Sequence, residues 1–341
     1  MDDKSCKVVV IGVYWGEFPA IFPQWLHSCE RNKTIDFLVV TDNNYDNLPA
    51  NVTFINMSLS NFRKLAIKKI GMEEISLKRI YKICDYKPIY GCILEDYIKE
   101  YDYWGHCDFD MIFGDIRFFL EKFKLIKYDR FLPLGHLSFY KNTKECNKRY
   151  RLPVMGRYIY QEVLLCEDNC CFDEIGMKDI YEAYSFPWFQ KRIFIDIATH
   201  RKRFINYNMF NANYQIFGWR NGKVYQIYWD NERKIMETNE YMYIHFQRKS
   251  MDVYLQNVFD DFWITKDGLI TWNKNDKPKV HLVDQYNPYP GVFIEWAENQ
   301  ERVVRIIIYR IILKIFKLLG NEKKGYALKI LGNINPYWGP K

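Results

Sequence analysis

The sequence lacks several features that would fix a class at once. No G-x-G-x-x-G follows the first apolar run, Lys7–Val13, which argues against a dinucleotide dehydrogenase. Nine cysteines are present, yet no C-x-x-C has a matching second half, so the paired spacing of a structural zinc site is missing even around Cys146, Cys166, Cys170 and Cys171. Cys6, Cys29, Cys84, Cys92 and Cys107 lie in or beside apolar stretches and read as small core hydrophobes of a reduced compartment. The opening MDDKSCKVVVIGV passes from mixed charge straight into a strand, without a leader pattern, so a cytosolic location is expected. No apolar run approaches the ~20 residues of a membrane span. Residues 1–300 also lack net charge, because the whole excess of +7 falls in residues 301–341; no basic groove for nucleic acid is expected.

What remains is a globular chain. Hydrophobic residues make up 48% and charged residues 27%, and 341 residues can bury a substantial core as one large domain or a domain with an appendage. The 27 tyrosines would suit a cleft that stacks on sugars or bases, though AT-rich coding also raises tyrosine.

Lys7–Val13 is a near-continuous apolar run, as expected of a parallel strand covered on both faces. A helix over Pro19–Glu30, a strand over Asp36–Thr41 and a third strand over Val52–Asn56 complete a doubly wound α/β opening. Helices are predicted over Ser60–Lys69, with Ser60 or Asn61 as N-cap, over Glu74–Ile83, and from Pro88 to about Lys99. Further expectations are a helix over Asp115–Phe123, a strand over Phe131–Tyr140 with His136 inside it, and a strand over Glu240–Phe246 delivering His245. The stretch from about 185 to 235 carries no readable motif.

The centre of the sequence is Tyr103–Asp115, YWGHCDFDMIFGD. It reads as a buried strand running into a turn, and period-two alternation points Asp108 and Asp110 one way while Phe109 packs inward. Two carboxylates on one side suit a hard divalent cation with positions open to phosphate oxygens; solvated aspartates at a strand end have the same spacing. Ligands of such sheets sit beyond the carboxyl ends of the strands, where Tyr14, Asp42 and the aspartate pair would converge. Lys87 at a helix start opposes the helix dipole and makes sense facing a phosphate, or simply as a solvated surface lysine. His245, with Arg248 and Lys249 after it, suits a metal and a pyrophosphate, or a satisfied core position.

Glu301–Leu319 has an unbroken helical apolar face that includes Ile308, Ile312 and Ile315, while Arg302, Arg305, Arg310, Lys314 and Lys317 share the other side. Such a helix lies in an anionic membrane interface, or packs on the protein's own core or a partner subunit.

The segments WGEFPAIFPQWLHSC, FLVVTDN, CDYKPIYG, YWGHCDFDMIFGDI, GHLSFYKN, FDE and YIHFQRK, in this order through about residues 7–250, resemble bacterial capsule, O-antigen and exopolysaccharide glycosyltransferases. The resemblance implies an α/β, Rossmann-like GT-A fold with a mixed central sheet, to which the basic amphipathic helix is appended. It also implies a nucleotide-sugar donor, most simply UDP-linked galactose or glucose, and Mn²⁺ or Mg²⁺ held by Asp108 and Asp110. By analogy with GT-A enzymes that use a late histidine, His245 is the third ligand. Gly12, Tyr14, Asp42, Asp85, Lys87, His106 and Arg248 are the expected donor-side residues, and His136 the acceptor-side one. Asp173 or Glu174 would be the base of an inverting enzyme, or else stabilising acids at a helix start. The expected division is a catalytic domain over 1–250, its extension over 251–300 and a membrane-associating tail over 301–341. The acceptor is then a lipid-linked glycan, and the protein is peripheral on the cytoplasmic face of the membrane. A sugar nucleotidyltransferase and a non-catalytic tethered carbohydrate-binding or scaffold protein are the alternatives.

Overall fold

A computed structural model describes residues 6–199, 201–208, 212–247, 260–273 and 279–319. Its centre is a sheet of seven strands: β1 (Val8–Val13), β2 (Asp36–Thr41), β3 (Val52–Asn56), β4 (Tyr103–Cys107), β6 (Arg130–Leu134), β7 (Leu137–Lys141) and β8 (Trp188–Phe189). Their order is β3-β2-β1-β4-β7-β6-β8. β1 pairs in parallel with β2 and β4, and β2 with β3, whereas β7 runs antiparallel to both β4 and β6. The protein therefore has the expected mixed α/β fold.

Every residue of β1 is buried because the sheet is covered on both faces. Val8 and Val10 join Phe37, Val39, Phe22 and Trp25 on one side; Val9 and Ile11 join Leu38, Val40, Phe62 and Ala66 on the other. Each such side chain contributes roughly 1.5–3 kcal/mol by leaving water, so the alternation fixes the register of the sheet. Helix Phe22–Arg31 covers the first face and helix Leu59–Ile70 the second.

Local chemistry moves several expected boundaries. Helix Leu59–Ile70 takes Ser58 as its N-cap, which accepts from the Asn61 N–H, and it stops at Gly71 in the left-handed region. The expected helix over Glu74–Ile83 is absent. Ser76 N–H donates to the Leu164 carbonyl and the Ile75 carbonyl accepts from Arg63, holding that backbone in tertiary bonds. A 3₁₀ helix follows at Ile80–Ile89, then short helices at Tyr90–Ile93 and Glu95–Ile98. Asp115 caps helix Ile116–Lys122 through the Phe118 N–H. Phe131–Tyr140 is not one strand but the hairpin β6–β7, with Gly135 and His136 in its turn.

Two further sheets complete the protein. β5 (Met111–Phe113), β9 (Ile195–Asp196) and β13 (Tyr243–His245) form a three-stranded sheet in the order β5-β13-β9. β10 (Gln215–Arg220), β11 (Lys223–Asp230), β12 (Ile235–Tyr241), β14 (Asp261–Thr265) and β15 (Gly268–Thr271) form an antiparallel sheet in the order β12-β11-β10-β14-β15. The expected boundary at residue 250 falls between strands of this sheet, so β14 and β15 complete a unit begun before it. The Trp219 indole N–H donates to the Phe113 carbonyl at 2.8 Å and ties this sheet to the chain beyond the aspartates.

Helix Val292–Leu319 begins docked, with Glu295 paired to Arg203 and Glu298 to Arg201. Beyond these turns Val303, Val304, Ile307, Ile308 and Ile311 are exposed. The side chains of Arg302, Arg305, Arg310, Ile312, Lys314, Ile315 and Lys317 lie outside the described residues. No helix among the described residues is long and apolar enough to cross a membrane.

Candidate metal and transfer site

Asp108 and Asp110 follow the end of β4, on the rim where Tyr14 follows parallel β1 and Asp42 follows β2. Phe109 between them is buried against Tyr14, Phe18, Phe22 and Trp25, with ring centroids 4.9–5.6 Å away. That anchor turns both carboxylates outward, where they remain part-exposed at 33% and 25%. Gly12 belongs to the same packing, since an ideal Cβ there would stand 2.3 Å from the Phe109 ring. Its lack of a side chain makes room for phenylalanine.

His245 reaches the pair from the end of β13. Its Nε2 stands 3.4 Å from Asp110 and its Nδ1 2.9 Å from Asp196. One ligand atom from each of Asp108, Asp110 and His245 lies within 4.8 Å of the others, a spacing that one cation can span. Burial opposes charge on this imidazole, but Asp110 and Asp196 outweigh it and push it up to about 10. The two carboxylates thus favour the protonated ring. His136, Asp196 and His245 form a second, fully buried group of the same spacing.

Lys87 is 5% exposed and does not point at open solvent. Its Nζ stands 2.6 Å from Asp108 Oδ1 and 3.7 Å from Asp173 Oδ2, and it donates to the Gly135 carbonyl at 2.8 Å. The amine therefore gathers the acids of the site, a correction to its expected role facing a phosphate. Burial, opposed in part by Lys87, pushes the Asp173 carboxyl up to about 7. At 3.7 Å the lysine is beyond hydrogen-bond reach of Asp173, its short contact being made with Asp108, so burial dominates.

Asp173 and Glu174 lie in a wide helical turn, Phe172–Gly176, that leads into helix Met177–Ala183. Glu174 accepts from the Gly135 N–H at 2.9 Å. Behind Asp173 the buried Arg130 guanidinium lies over Trp188 and Tyr140 and donates to the Asp173 carbonyl at 3.1 Å.

Two donor-side expectations are displaced inward. Asp85 is fully buried, pairs with Lys82 at 2.8 Å, and accepts from the Cys170 and Phe172 N–H groups. It fastens the segment just before Asp173 and has no face toward a donor. His106 is fully buried within β4, and burial holds its imidazole well below the usual range, so it too cannot touch a substrate. His136 is likewise moved: it stacks on His245 at 4.2 Å, with Nδ1 held by the Tyr243 hydroxyl at 3.0 Å, behind the cluster and not on an open acceptor face. Tyr14 stands near enough to Asp110 for that charge, after burial, to raise its phenol. Asp42 is exposed on the rim, and Arg248 lies outside the described residues.

Asp196, Gly135, Tyr243, Lys82 and Arg130 were not anticipated. A signal for Asp196 exists in Ile193–Ala198, IFIDIA, where one acid interrupts an apolar run.

A comparison with curated proteins finds no match. Among solved structures the chain is similar to the galactosyltransferase LgtC, crystallised with donor and acceptor sugar analogues. That similarity has 11% identity and a TM-score of 0.32, and covers 55% of this chain and 75% of that one. The profile of a family of unknown function, DUF6625, matches residues 10–273, which spans both aspartates, His245 and the sheet that continues past residue 250. The chain belongs to that family.

Proposed function

We propose that the protein is a metal-dependent glycosyltransferase of GT-A type. In this reading it moves a galactose- or glucose-type sugar from a nucleotide donor, UDP-linked in the first instance, to a hydroxyl of a lipid-linked glycan in bacterial surface-polysaccharide assembly. One observation carries it: two part-exposed carboxylates and a strand-borne imidazole within 4.8 Å of one another at the carboxyl rim of an α/β sheet. The motif resemblance of Tyr103–Asp115 adds to it.

Two carboxylates and one imidazole fit Mn²⁺ or Mg²⁺, because hard oxygen donors dominate and the exposed side is left to phosphate oxygens. When bound, the cation neutralises charge developing on the departing nucleoside diphosphate. The other roles belong to the chain. Lys87 orients Asp108 and balances the charge of the acids around it. Tyr14 and Asp42 border the donor on the rim, with Arg248 as a further phosphate partner. Asp173 or Glu174 takes the acceptor proton if the anomeric centre inverts.

Residues 1–250 and their extension over 251–300 form the catalytic part, and 301–341 the membrane-associating tail. The exposed apolar face of helix Val292–Leu319, with only cationic charges between residues 302 and 319, suits the anionic inner face of the plasma membrane, where a lipid-linked acceptor would be met.

The test is a screen of UDP-, GDP- and CMP-sugars with Mn²⁺ for thermal stabilisation and slow donor hydrolysis, in the wild type and in Asp108→Asn with Asp110→Asn. Stabilisation by one donor and release of a nucleoside diphosphate, both lost in the double variant, are expected. Conversion of the nucleotide sugar to a nucleoside triphosphate and a sugar phosphate only when pyrophosphate is added would instead assign a nucleotidyltransferase. A double variant that behaves as wild type would leave a non-catalytic binding protein.

A further inference from the structure

We infer that Asp196 is the positioning residue of the metal site, holding His245 in the one tautomer that can ligate the cation. The inference rests on the metal-site reading above and deepens it.

Strand register puts the two side chains together. In the three-stranded sheet β13 is central, and His245 sits opposite Met111 of β5 and opposite Asp196 of β9. Asp110 immediately precedes β5, and its carbonyl accepts the Phe246 N–H at 2.9 Å. Asp196, His245 and Asp110 therefore form a row across three adjacent strands, with the imidazole in the middle.

The chemistry of the row is directional. A carboxylate oxygen accepts, so the 2.9 Å contact between Asp196 Oδ1 and His245 Nδ1 suits the tautomer that carries its proton on Nδ1. The ring's other nitrogen then faces Asp110 and, once its own proton has left, offers a lone pair to the cation. His136 stacks on the ring face at 4.2 Å, and the Tyr243 hydroxyl holds His136 in turn, so rotation of the imidazole is blocked as well. Asp196 is 3% exposed, so its contact with the imidazole is made away from water.

The experiment uses the full chain and Mn²⁺ alone, read by electron spin echo modulation for ¹⁴N coupling and by titration for affinity. Wild type should show one imidazole coupling, and His245→Ala should abolish it. Asp196→Asn, nearly isosteric, and Asp196→Ala should lose or weaken that coupling and lower Mn²⁺ affinity about 10–100-fold, with circular dichroism and unfolding midpoint showing a folded protein. If Asp196→Ala does not fold, Asp196→Asn alone decides the question. Folded Asp196 variants that keep wild-type coupling and affinity, while His245→Ala loses both, overturn this inference and leave the metal site standing. Wild type that binds Mn²⁺ without nitrogen coupling, or does not bind it, overturns both. Loss of binding in His136→Ala and Asp196→Ala alike, with Asp108→Asn unaffected, would put the ion in the inner group and also overturn the inference.

Discussion

Gly135→Ala tests how tightly the acids of the site are packed. An ideal Cβ at Gly135 would stand 2.1 Å from Asp173 Oδ2 and 2.7 Å from its Cγ. Ordinary contact begins near 3.4 Å, so the carboxylate or the turn must move by 3.4 − 2.1 = 1.3 Å. The turn does not move freely, because the Gly135 N–H is bonded to Glu174 and its carbonyl to Lys87, and the Asp173 side chain is buried. Overpacking of this kind costs roughly 1–3 kcal/mol. A displacement of about 1 Å at a reacting group costs on the order of 100-fold in rate. Urea unfolding should therefore show a lower midpoint, and donor hydrolysis with Mn²⁺ should fall by about two orders of magnitude. Placing Asp173→Ala in the same protein removes the obstructing carboxylate, so the double variant should lose less stability than the two single losses together. A Gly135→Ala protein with wild-type midpoint and turnover, or strictly additive losses, would refute the reasoning.

Other expectations follow from the same geometry. Phe109→Ala empties the centre of an aromatic cluster and should cost about 3–5 kcal/mol, seen as a large fall in unfolding midpoint; a loss below about 1 kcal/mol would contradict the anchoring role. Asp173, raised to about 7, favours the folded state while protonated, so its contribution is present below the ordinary carboxylate range and lost as pH rises through about 7. Asp173→Asn should then flatten the fall in stability between about pH 4 and 7, whereas curves parallel to wild type would exclude that burial effect. Truncation at about residue 300 should abolish co-sedimentation with vesicles containing anionic lipid; unchanged binding would remove the membrane role of the helix.

Much of the first half of the fold was legible because its signals are local. The apolar run of β1, the strands at Asp36–Thr41 and Val52–Asn56, and the inward turn of Phe109 all follow from side-chain alternation over a few residues. What was misread depends on distant partners. Lys87 looks like a surface or phosphate lysine until Asp108 and Asp173 close around it. Asp85 follows a cysteine and precedes a tyrosine, and nothing near it shows that Lys82 and the backbone of Cys170 and Phe172 will use up its oxygens. Glycine at Gly12 and Gly135 is explained only by Phe109 and Asp173 arriving from elsewhere. In the stretch from 185 to 235, β9 is a two-residue piece whose partner β13 comes later in the chain, whereas the β10–β11 hairpin was marked locally by Asn221-Gly222 at its turn and was missed.

The two aspartates and the imidazole opposite them come from distant parts of the polypeptide, joined through β5 and β13. During synthesis the acidic half therefore emerges long before its nitrogen partner. Until β13 pairs with β5, only the carboxylates of the coordination set have been made. Under the proposed function, full-strength ion capture would then mark the moment when β13 is inserted beside β5, before β14 and β15 are added.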